Sequence, residues 1–428
     1  MEKQRPVIEL DGRTGEGGGQ LVRIACALAA VATVPIRITH VRGNREGPRG
    51  GAKGGGLKSQ HVTAIEYLAT ATQAEVDGLS VGSHTLEFRP RLKPSSLKDR
   101  TIKIEADSPA ASTLLIFQAV FPFLLFSGSS DKADEPITLE LSGGTNVSFS
   151  LSYEYLDQVL LPTLENAFGI VVQRKLISRG WSLGKASRGK CSFQFNPLRA
   201  GETLTFRDNG LGEIYGGGPG DMDLEAIDVS MIIPYAMQES MTQALVTDLE
   251  ELFPDVEVNF KVTEDSGQDS RIYVLLVGRS GELRWGRDLL TSTPKKSKTK
   301  SAAMMSSESL SQSLSRKLCK ELFDEVSAGG VVDEFLQDQL AIFQALAEGK
   351  TSFPRSHDEN GELEQAMSKL SLDEKLRKDK TIIPFGEGST HAKTARWVTA
   401  EVLPEVKWYN KGRICHGVGM HMEKVSTR

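Results

Sequence analysis

The sequence predicts an α/β (α+β) fold, in which repeated α/β modules pack helices on sheets and a smaller α/β domain is inserted. Segments with strand and helix periodicity alternate in units of similar size over the first 199 residues. From about residue 200 the pattern changes to shorter strand-like runs and glycine-rich turns. We therefore expect a core formed by residues 1–199 and 281–428, with the inserted domain at 200–280.

The first unit is a strand, a glycine-rich turn and a helix. An apolar run at 7–10 precedes the turn, which reads Asp-Gly-Arg-Thr-Gly-Glu-Gly-Gly-Gly-Gln and ends at Gln20; a helix pattern at 20–34 contains Arg23. Glycines allow backbone N–H groups to approach a phosphate at the positive end of a helix, where the carboxylate of Glu16 suits a divalent cation. The spacing fits neither a P-loop nor the dinucleotide-binding fingerprint. On the residues alone, a tight turn and a phosphate site both stay open.

A basic, glycine-rich loop joins the next strand and helix. The strand pattern at 36–41 is followed by Arg42 and Arg45, then by six glycines within 46–56, and Gln60 lies at the start of the following helix. A flexible basic loop in this position suits an anion. A solvated surface loop is the alternative.

The rest of the chain continues the alternation. Strands are expected within 75–90, at 101–106, 137–141, within 171–195, and at 203–206, 227–233, 256–262 and 272–277. Helices are expected at 112–126, 155–168, 239–252, 314–327, 332–346 and 392–402. Two segments poor in apolar residues, 291–313 and 350–380, are predicted to be disordered inserts. A glycine-rich run at 210–220 is interpreted as a plain loop.

Composition limits the classes of function. With 39% hydrophobic and 25% charged residues and a formal net charge of −5, the 428-residue chain is not a basic protein that coats nucleic acid. Any RNA contact must come from a local basic patch. The four cysteines are far apart and predict neither a zinc site nor a disulfide framework. Without a signal-peptide or membrane-span pattern, we expect a nuclear or cytoplasmic protein, and a lysine-rich run at 295–301 is a weak import signal.

A second informative stretch lies near the C-terminus. Ser389 and Thr390 are good N-cap residues for the helix at 392–402, so His391 lies at a helix N-terminus. The partial positive charge there favours the neutral, nucleophilic imidazole and also attracts a phosphate. A capping or surface histidine is the commoner role for this pattern.

These stretches together resemble the RNA 3′-terminal phosphate cyclase family. The glycine-rich string through Arg23 resembles the opening signature of that family, and Arg42, Arg45 and Gln60 match its next motif. His391-Ala-Lys-Thr394 matches the His-x-x-Thr motif whose histidine is adenylylated in family enzymes. The third match, Asp338-Gln339-Leu340, follows an aromatic position that is usually Tyr in the family and is Phe335 here.

The resemblance implies an ATP-dependent enzyme that converts an RNA 3′-terminal phosphate to a 2′,3′-cyclic phosphate through a covalent histidine–AMP. His391 would be the nucleophile, and Glu16 would hold Mg²⁺ or Mn²⁺. RNA 3′ ends are the implied partner. The residues implied to bind the nucleotide are Gln20, Phe335, Asp338 and Gln339, and those implied to bind the RNA phosphate are Arg23, Arg42, Arg45 and Gln60.

Several positions depart from the family pattern. Leu151 and Ser152 replace a Pro-Pro pair, Leu183 lies in a reduced His-Gly-x-x-Pro signature, and Ala395 replaces an Asn. They keep a second class open: a non-catalytic relative that binds RNA or protein factors during ribosome biogenesis. Such relatives lack the nucleophilic histidine, so the presence of His391 favours the enzyme. A carboxyvinyl transferase of related architecture is a remote third class, because none of its substrate-binding motifs is found.

Overall fold

The computed structural model describes residues 6–45, 54–128, 135–207, 224–293, 306–355 and 376–422. Helices pack on several mixed sheets, which confirms the predicted α/β (α+β) class. The predicted glycine-rich loop at 210–220 and the lysine-rich run at 295–301 lie outside the described residues. Within the described ranges, no helix is both long enough and apolar enough to cross a membrane.

The first module contains four strands and two helices. Its elements are β1 (Ile8–Asp11), α1 (Gly19–Ala32), β2 (Ile36–Thr39), α2 (Ser59–Thr72), β3 (Glu75–Asp77) and β4 (Leu86–Arg89). The sheet order is β1-β2-β4-β3, with β1 and β2 parallel and the other pairs antiparallel. The parallel pair needs a crossover, which α1 supplies directly after the glycine-rich turn.

The second module repeats this topology. Its elements are β5 (Thr101–Glu105), α3 (Thr113–Leu125), β6 (Ile137–Gly143), α4 (Tyr153–Tyr155), a π-helical turn (Leu156–Leu160), α5 (Leu161–Phe168), β7 (Val172–Ser178) and β8 (Gly189–Phe195). The order β5-β6-β8-β7 has the same parallel and antiparallel pairs as the first sheet. The predicted repeat of α/β modules is therefore confirmed for these two units.

A third sheet forms the inserted unit. Its elements are β9 (Ala226–Ile233), α6 (Gln238–Leu252), β10 (Glu257–Asp265), β11 (Ile272–Ser280), β12 (Leu283–Thr291) and α7 (Ser307–Ser327). The order is β10-β9-β11-β12, and β11 pairs with β12 along its whole length. The predicted boundary at residue 280 is thus too early, because it separates two strands of one hairpin.

The predicted disordered insert at 291–313 is wrong at its C-terminal end, where α7 begins at Ser307. The serine-rich composition there suggested disorder, but Ser311 and Ser315 are buried. The hydroxyl of Ser315 donates to Asp248 of α6 at 2.5 Å, and Ser311 shares a 2.9 Å hydrogen bond with Ser240. Partners on a neighbouring helix, which the local composition does not reveal, satisfy these polar groups.

The last sheet follows the inserted unit in the chain. Its elements are α8 (Glu334–Leu346), β13 (Glu348–Ser352), α9 (Thr390–Val402), β14 (Lys407–Tyr409) and β15 (Ile414–Val418), with strand order β13-β15-β14. Residues 203–206, predicted as a strand, form only a single parallel bridge from Thr205 to Glu348. This parallel bridge to β13 corresponds to the parallel pairing of the first and second strands in the other two modules. β13 also extends into the predicted insert at 350–380, of which residues 356–375 lie outside the described residues.

The helices that carry the predicted site motifs pack together in one buried layer. Helix α1 packs on α3 and on α9, and α9 packs on α8. Small residues such as Ala25, Ala29 and Ala30 are fully buried along α1, which lets the neighbouring helices approach closely. This packing brings the start of the chain, α3, α8 and the start of α9 to one place.

Candidate active site

The glycine-rich turn closes against the start of α9. Gly15 has φ of +67°, and a Cβ there would collide with the hydroxyl of Thr394. The backbone N–H of Glu16 donates to this hydroxyl at 2.8 Å, and the hydroxyl in turn donates to the carbonyl of Thr390 at 2.7 Å. The motif at the start of the chain and the motif near its end therefore form one structure, and glycine is required for the contact.

His391 is held by a hydrogen-bonded chain that reaches α8. Its Nδ1 lies 3.1 Å from Oε1 of Gln20, and Nε2 of Gln20 donates to the buried carboxylate of Asp338. A carboxylate oxygen only accepts, so the amide of Gln20 must turn its oxygen toward the histidine. An amide oxygen also only accepts, so the proton of the neutral ring lies on Nδ1. The Nε2 atom then carries the lone pair and is available as a nucleophile.

The same network extends from Asp338 toward α3. Gln339 donates to Asp338 at 2.9 Å, Gln118 donates to Gln339, and Nε of Arg23 donates to Gln118 at 3.2 Å. The network links α1, α3 and α8. Gln118 was not predicted as a site residue, although it is a polar side chain within a largely apolar helix and falls where the resembled family has the same residue type.

Burial sets the protonation of the central pair. Burial lowers the pKa of His391 below the usual 6.5, although the nearby charge of Asp338 acts in the opposite direction. Burial raises the pKa of Asp338 to about 6, while hydrogen bonds from Gln339 and Gln20 and the charge of His391 lower it. At neutral pH the pair is therefore a neutral imidazole beside a carboxylate. Burial also lowers the pKa of Arg23 to about 10, which leaves the guanidinium charged.

The carboxylate of Glu16 is buried, with 6% of its side chain exposed, and forms an ion pair with Arg45 through Oε1. Its other oxygen, Oε2, is buried without a hydrogen-bond partner. In the described part of the chain, no group of three or more His, Cys, Asp or Glu side chains is arranged to hold a metal ion. One free carboxylate oxygen nevertheless fits Mg²⁺, which protein sites often bind through one or two carboxylates together with substrate phosphates.

The residues predicted to bind the RNA phosphate line one cleft of about 840 Å³ together with Glu16 and His391. They are Arg23, Arg42, Arg45 and Gln60. Gln20, which is predicted to bind the nucleotide, lines the same cleft. Lys58 lines it as well, so the described residues that line the cleft include four cationic side chains and one carboxylate. Such an excess of positive charge attracts an anion even though the whole chain is acidic.

His61 also lines this cleft and was not predicted as a ligand. Its Nδ1 accepts the backbone N–H of Lys58 at 3.0 Å, so its proton lies on Nε2. This Nε2 is buried without a partner, next to Gly19 and the guanidinium of Arg23. Burial and the nearby cations lower the pKa of His61 well below 6.5, so the ring is neutral and offers one N–H donor.

Phe335 is separated from the rest of the predicted site. It lies at the start of α8, where its ring packs edge-on against Tyr155 at 6.2 Å between centroids and lies under the guanidinium of Arg287 at 4.8 Å. It does not appear among the described residues that line the cleft. The structure thus brings together the other predicted residues and leaves Phe335 one helical turn away from Asp338.

Comparison with known proteins gives the family. A family model described as RNA 3′-terminal phosphate cyclase matches residues 14–404, a range that contains every predicted site residue. The chain belongs to the RNA 3′-terminal phosphate cyclase family.

Curated members of this family align with most of the chain. An RNA 3′-terminal phosphate cyclase of Drosophila melanogaster is 28% identical over 355 residues, covering 81% of this chain and 85% of the relative. Another, from Pyrococcus furiosus, is 29% identical over 344 residues, with 80% and 87% covered. One from Methanosarcina mazei is 32% identical over 358 residues, with 81% and 89% covered.

Proposed function

We propose that this member of the family converts an RNA 3′-terminal phosphate to a 2′,3′-cyclic phosphate at the expense of ATP, with His391 as the nucleophile. The observation that carries the proposal is the chain from Asp338 through Gln20 to His391. It keeps the proton on Nδ1 and leaves the Nε2 lone pair free at a cleft lined by cations. Family membership and the names of the curated relatives support the RNA substrate.

The reaction consists of three displacements at phosphorus. In the first, Nε2 of His391 attacks the α-phosphorus of ATP; a phosphoramidate bond forms, the bond to the bridging oxygen breaks, and pyrophosphate leaves. Next, an oxygen of the RNA 3′-phosphate attacks the same phosphorus, the N–P bond breaks, and AMP is joined to the RNA end. Finally, the neighbouring 2′-OH attacks the RNA phosphorus, loses its proton, and displaces AMP as the cyclic phosphate forms.

The side chains of the cleft have distinct roles in this scheme. Arg23, Arg42 and Gln60 bind the RNA phosphate, and Arg bonds such groups through paired N–H donors. Gln20, Asp338 and Gln339 hold the adenylate beside His391. Phe335, which is predicted to hold the adenylate as well, supports these residues from the start of α8, where its ring packs against Tyr155.

Glu16 and Arg45 have linked roles. Glu16 would hold Mg²⁺ or Mn²⁺ through its unpartnered oxygen, and a bound metal there neutralises the charge that develops on the phosphates. Arg45 occupies the other oxygen of this carboxylate. We expect Arg45 to transfer part of its hydrogen bonding to the RNA phosphate when the substrate enters.

Labelling with α-³²P ATP tests the proposal. Wild type, His391→Ala and the control His421→Ala are incubated with ATP and Mg²⁺ or Mn²⁺, separated on a denaturing gel, and treated with acid. His421 is exposed and lies outside the cleft, so its variant should take up label like the wild type. We expect acid-labile label on wild type and His421→Ala, because a phosphoramidate bond breaks in acid. We expect no label on His391→Ala, because this variant lacks the nitrogen that forms the bond.

Two results would contradict the proposal. Label on His391→Ala would move the nucleophile to another residue. Folded wild type without label under either metal would instead support the non-catalytic role in ribosome biogenesis, which the departures at Leu151 and Ser152 keep in view.

A further inference from the structure

Phe149 is an exposed aromatic side chain at the proposed RNA site. It is 54% exposed and lines the same cleft as Arg42, Lys58, Gln60 and His391. Among the described residues that line this cleft, it is the only Phe, Tyr or Trp. Burying a phenylalanine ring lowers the free energy, and an exposed ring does not have this stabilisation. An exposed ring in a binding cleft is therefore a candidate contact for a ligand.

Hydrogen bonds anchor the turn that carries Phe149. Ser150 N–H bonds back to the carbonyl of Val147 at 3.4 Å, which closes a turn with Phe149 inside it. The backbone N–H of Ser148 donates to the hydroxyl of Ser182 at 3.1 Å, and the hydroxyl of Ser150 lies 2.6 Å from that of Ser112, the N-cap of α3. The turn is thus anchored on both sides of the exposed ring. A ring carried on an anchored turn loses less backbone entropy on binding than a ring on a free loop.

The two walls of the cleft differ in chemistry. The first module supplies the cations Arg23, Arg42, Arg45 and Lys58. The second module supplies small or apolar residues next to Phe149, namely Ala110, Ala111 and Leu115. Single-stranded RNA has the same division, because its phosphates need cations and its unstacked bases bind aromatic faces.

We propose that Phe149 stacks on the nucleobase at the 3′ end of the RNA and so positions the terminal ribose phosphate for reaction at His391. This inference rests on the proposed function for its substrate. The adenine of ATP is the other candidate for stacking, but Asp338 and Gln339, which we assign to the adenylate, line an adjoining narrow cavity behind Gln20. Phe149 instead shares its cleft with the groups assigned to the RNA phosphate.

Equilibrium binding of two RNAs tests the inference without requiring the chemistry. Both carry a 5′ fluorophore and a 3′-phosphate, and they differ only in whether the last ribose bears a base. Wild type should bind the base-bearing end about ten-fold more tightly by fluorescence anisotropy, since one base–aromatic stack has about this value. Phe149→Ala should bind both RNAs equally, Phe149→Trp should keep the preference, and Tyr235→Ala, which removes an exposed aromatic ring on the inserted unit, should match wild type.

Three outcomes would overturn the inference. Phe149→Ala could keep the preference for the base, wild type could show no preference, or wild type could bind neither RNA. Loss of labelling by α-³²P ATP in Phe149→Ala, with unchanged RNA preference, would assign the ring to adenine instead. Because anisotropy does not require adenylylation, a wild type that binds RNA selectively but takes up no label would refute the proposed reaction and leave only the stacking of Phe149 on the base standing.

Discussion

His391 and Asp338 control each other's protonation, and this coupling gives a pH prediction. Burial lowers the pKa of His391, so the neutral nucleophile persists below pH 6.5 and the rate of self-adenylylation should fall only at lower pH. The charge of Asp338 raises this pKa, so removing it in Asp338→Asn should lower the pKa further and move the acid limb of the profile to lower pH. Single-turnover labelling between about pH 5 and about pH 8 measures the acid limb of both proteins.

The maximal rate of Asp338→Asn should also fall. In this variant the amide of Gln20, which orients His391, no longer donates to a charged carboxylate, so its hydrogen bond is weaker. Asp99→Asn, a change of an exposed carboxylate outside the cleft, serves as the control and should keep the wild-type profile. An acid limb at or above pH 6.5 in wild type, or one that moves upward in Asp338→Asn, contradicts this account.

Short motifs single out individual site residues, but the contacts of those residues could not be predicted. The local patterns around Glu16 and His391 leave a tight turn and a capping histidine open, and only the resemblance to the family favours the site roles, which stay predictions. The bond from Gln20 to Asp338 joins positions 318 apart, so it depends on the packing of α1 on α9 and of α9 on α8. The free N–H of His61 could not be predicted either. It results from the backbone N–H of Lys58, which donates to the other ring nitrogen at the start of α2, and the residue types do not indicate this contact.

At the scale of an element, Asp333 anchors α8, the helix that carries the residues proposed to bind the nucleotide. It is the N-cap of α8, and its carboxylate accepts the N–H groups of Phe335 at 2.9 Å and Leu336 at 2.8 Å. It also accepts the hydroxyl of Tyr155 at 2.6 Å and the N–H of Gly286 at 2.7 Å, while being fully buried. One side chain thus joins α4, β12 and α8, and it ties the inserted unit to the site.

We expect Asp333→Ala to lower the free energy of unfolding by about 3 kcal/mol, because a cap contributes ~1 kcal/mol and each stranded buried donor costs ~1–3 kcal/mol. Urea unfolding followed by circular dichroism measures the change. Asp333→Asn keeps one acceptor oxygen and should lose less. Asp99→Ala, at an exposed position, should stay within about 0.5 kcal/mol of wild type. A loss in Asp333→Ala no larger than that of the control would show that the anchor has no role.

Helices and strands with clear periodicity were predicted well, and the errors lie where tertiary contacts decide. The strands of the second module and the buried helix at 112–126 were predicted close to β7, β8 and α3. The serine-rich start of α7 was missed because its hydroxyls are satisfied by α6. The C-terminal boundary of the inserted domain, predicted at residue 280, falls between β11 and β12. Their pairing could not be predicted because it is a property of the sheet and not of either strand.

For the whole molecule, the distribution of charge predicts how RNA is bound. The chain has a formal net charge of −5, yet one cleft contains Arg23, Arg42, Arg45 and Lys58 against Glu16. RNA should therefore be held at its end, by about three phosphates, and repelled elsewhere. Since single-stranded nucleic acid releases ~0.7 counterion per neutralised phosphate, log affinity should fall with log salt with a slope of about −2.

Affinity should also stop rising once the RNA exceeds about three nucleotides, because a 3′-phosphorylated RNA of this length supplies two linking phosphates and the terminal one. Anisotropy with 3′-phosphorylated RNAs of increasing length, at several salt concentrations, measures both quantities. Arg42→Gln should make the slope shallower by about 0.7, because one phosphate loses its cation, whereas Lys407→Gln, an exposed cation away from the cleft, should leave it unchanged. An affinity that keeps increasing with length, or a slope that Lys407→Gln reduces as much as Arg42→Gln does, would mean that RNA runs over the surface and that the cleft is not its main site.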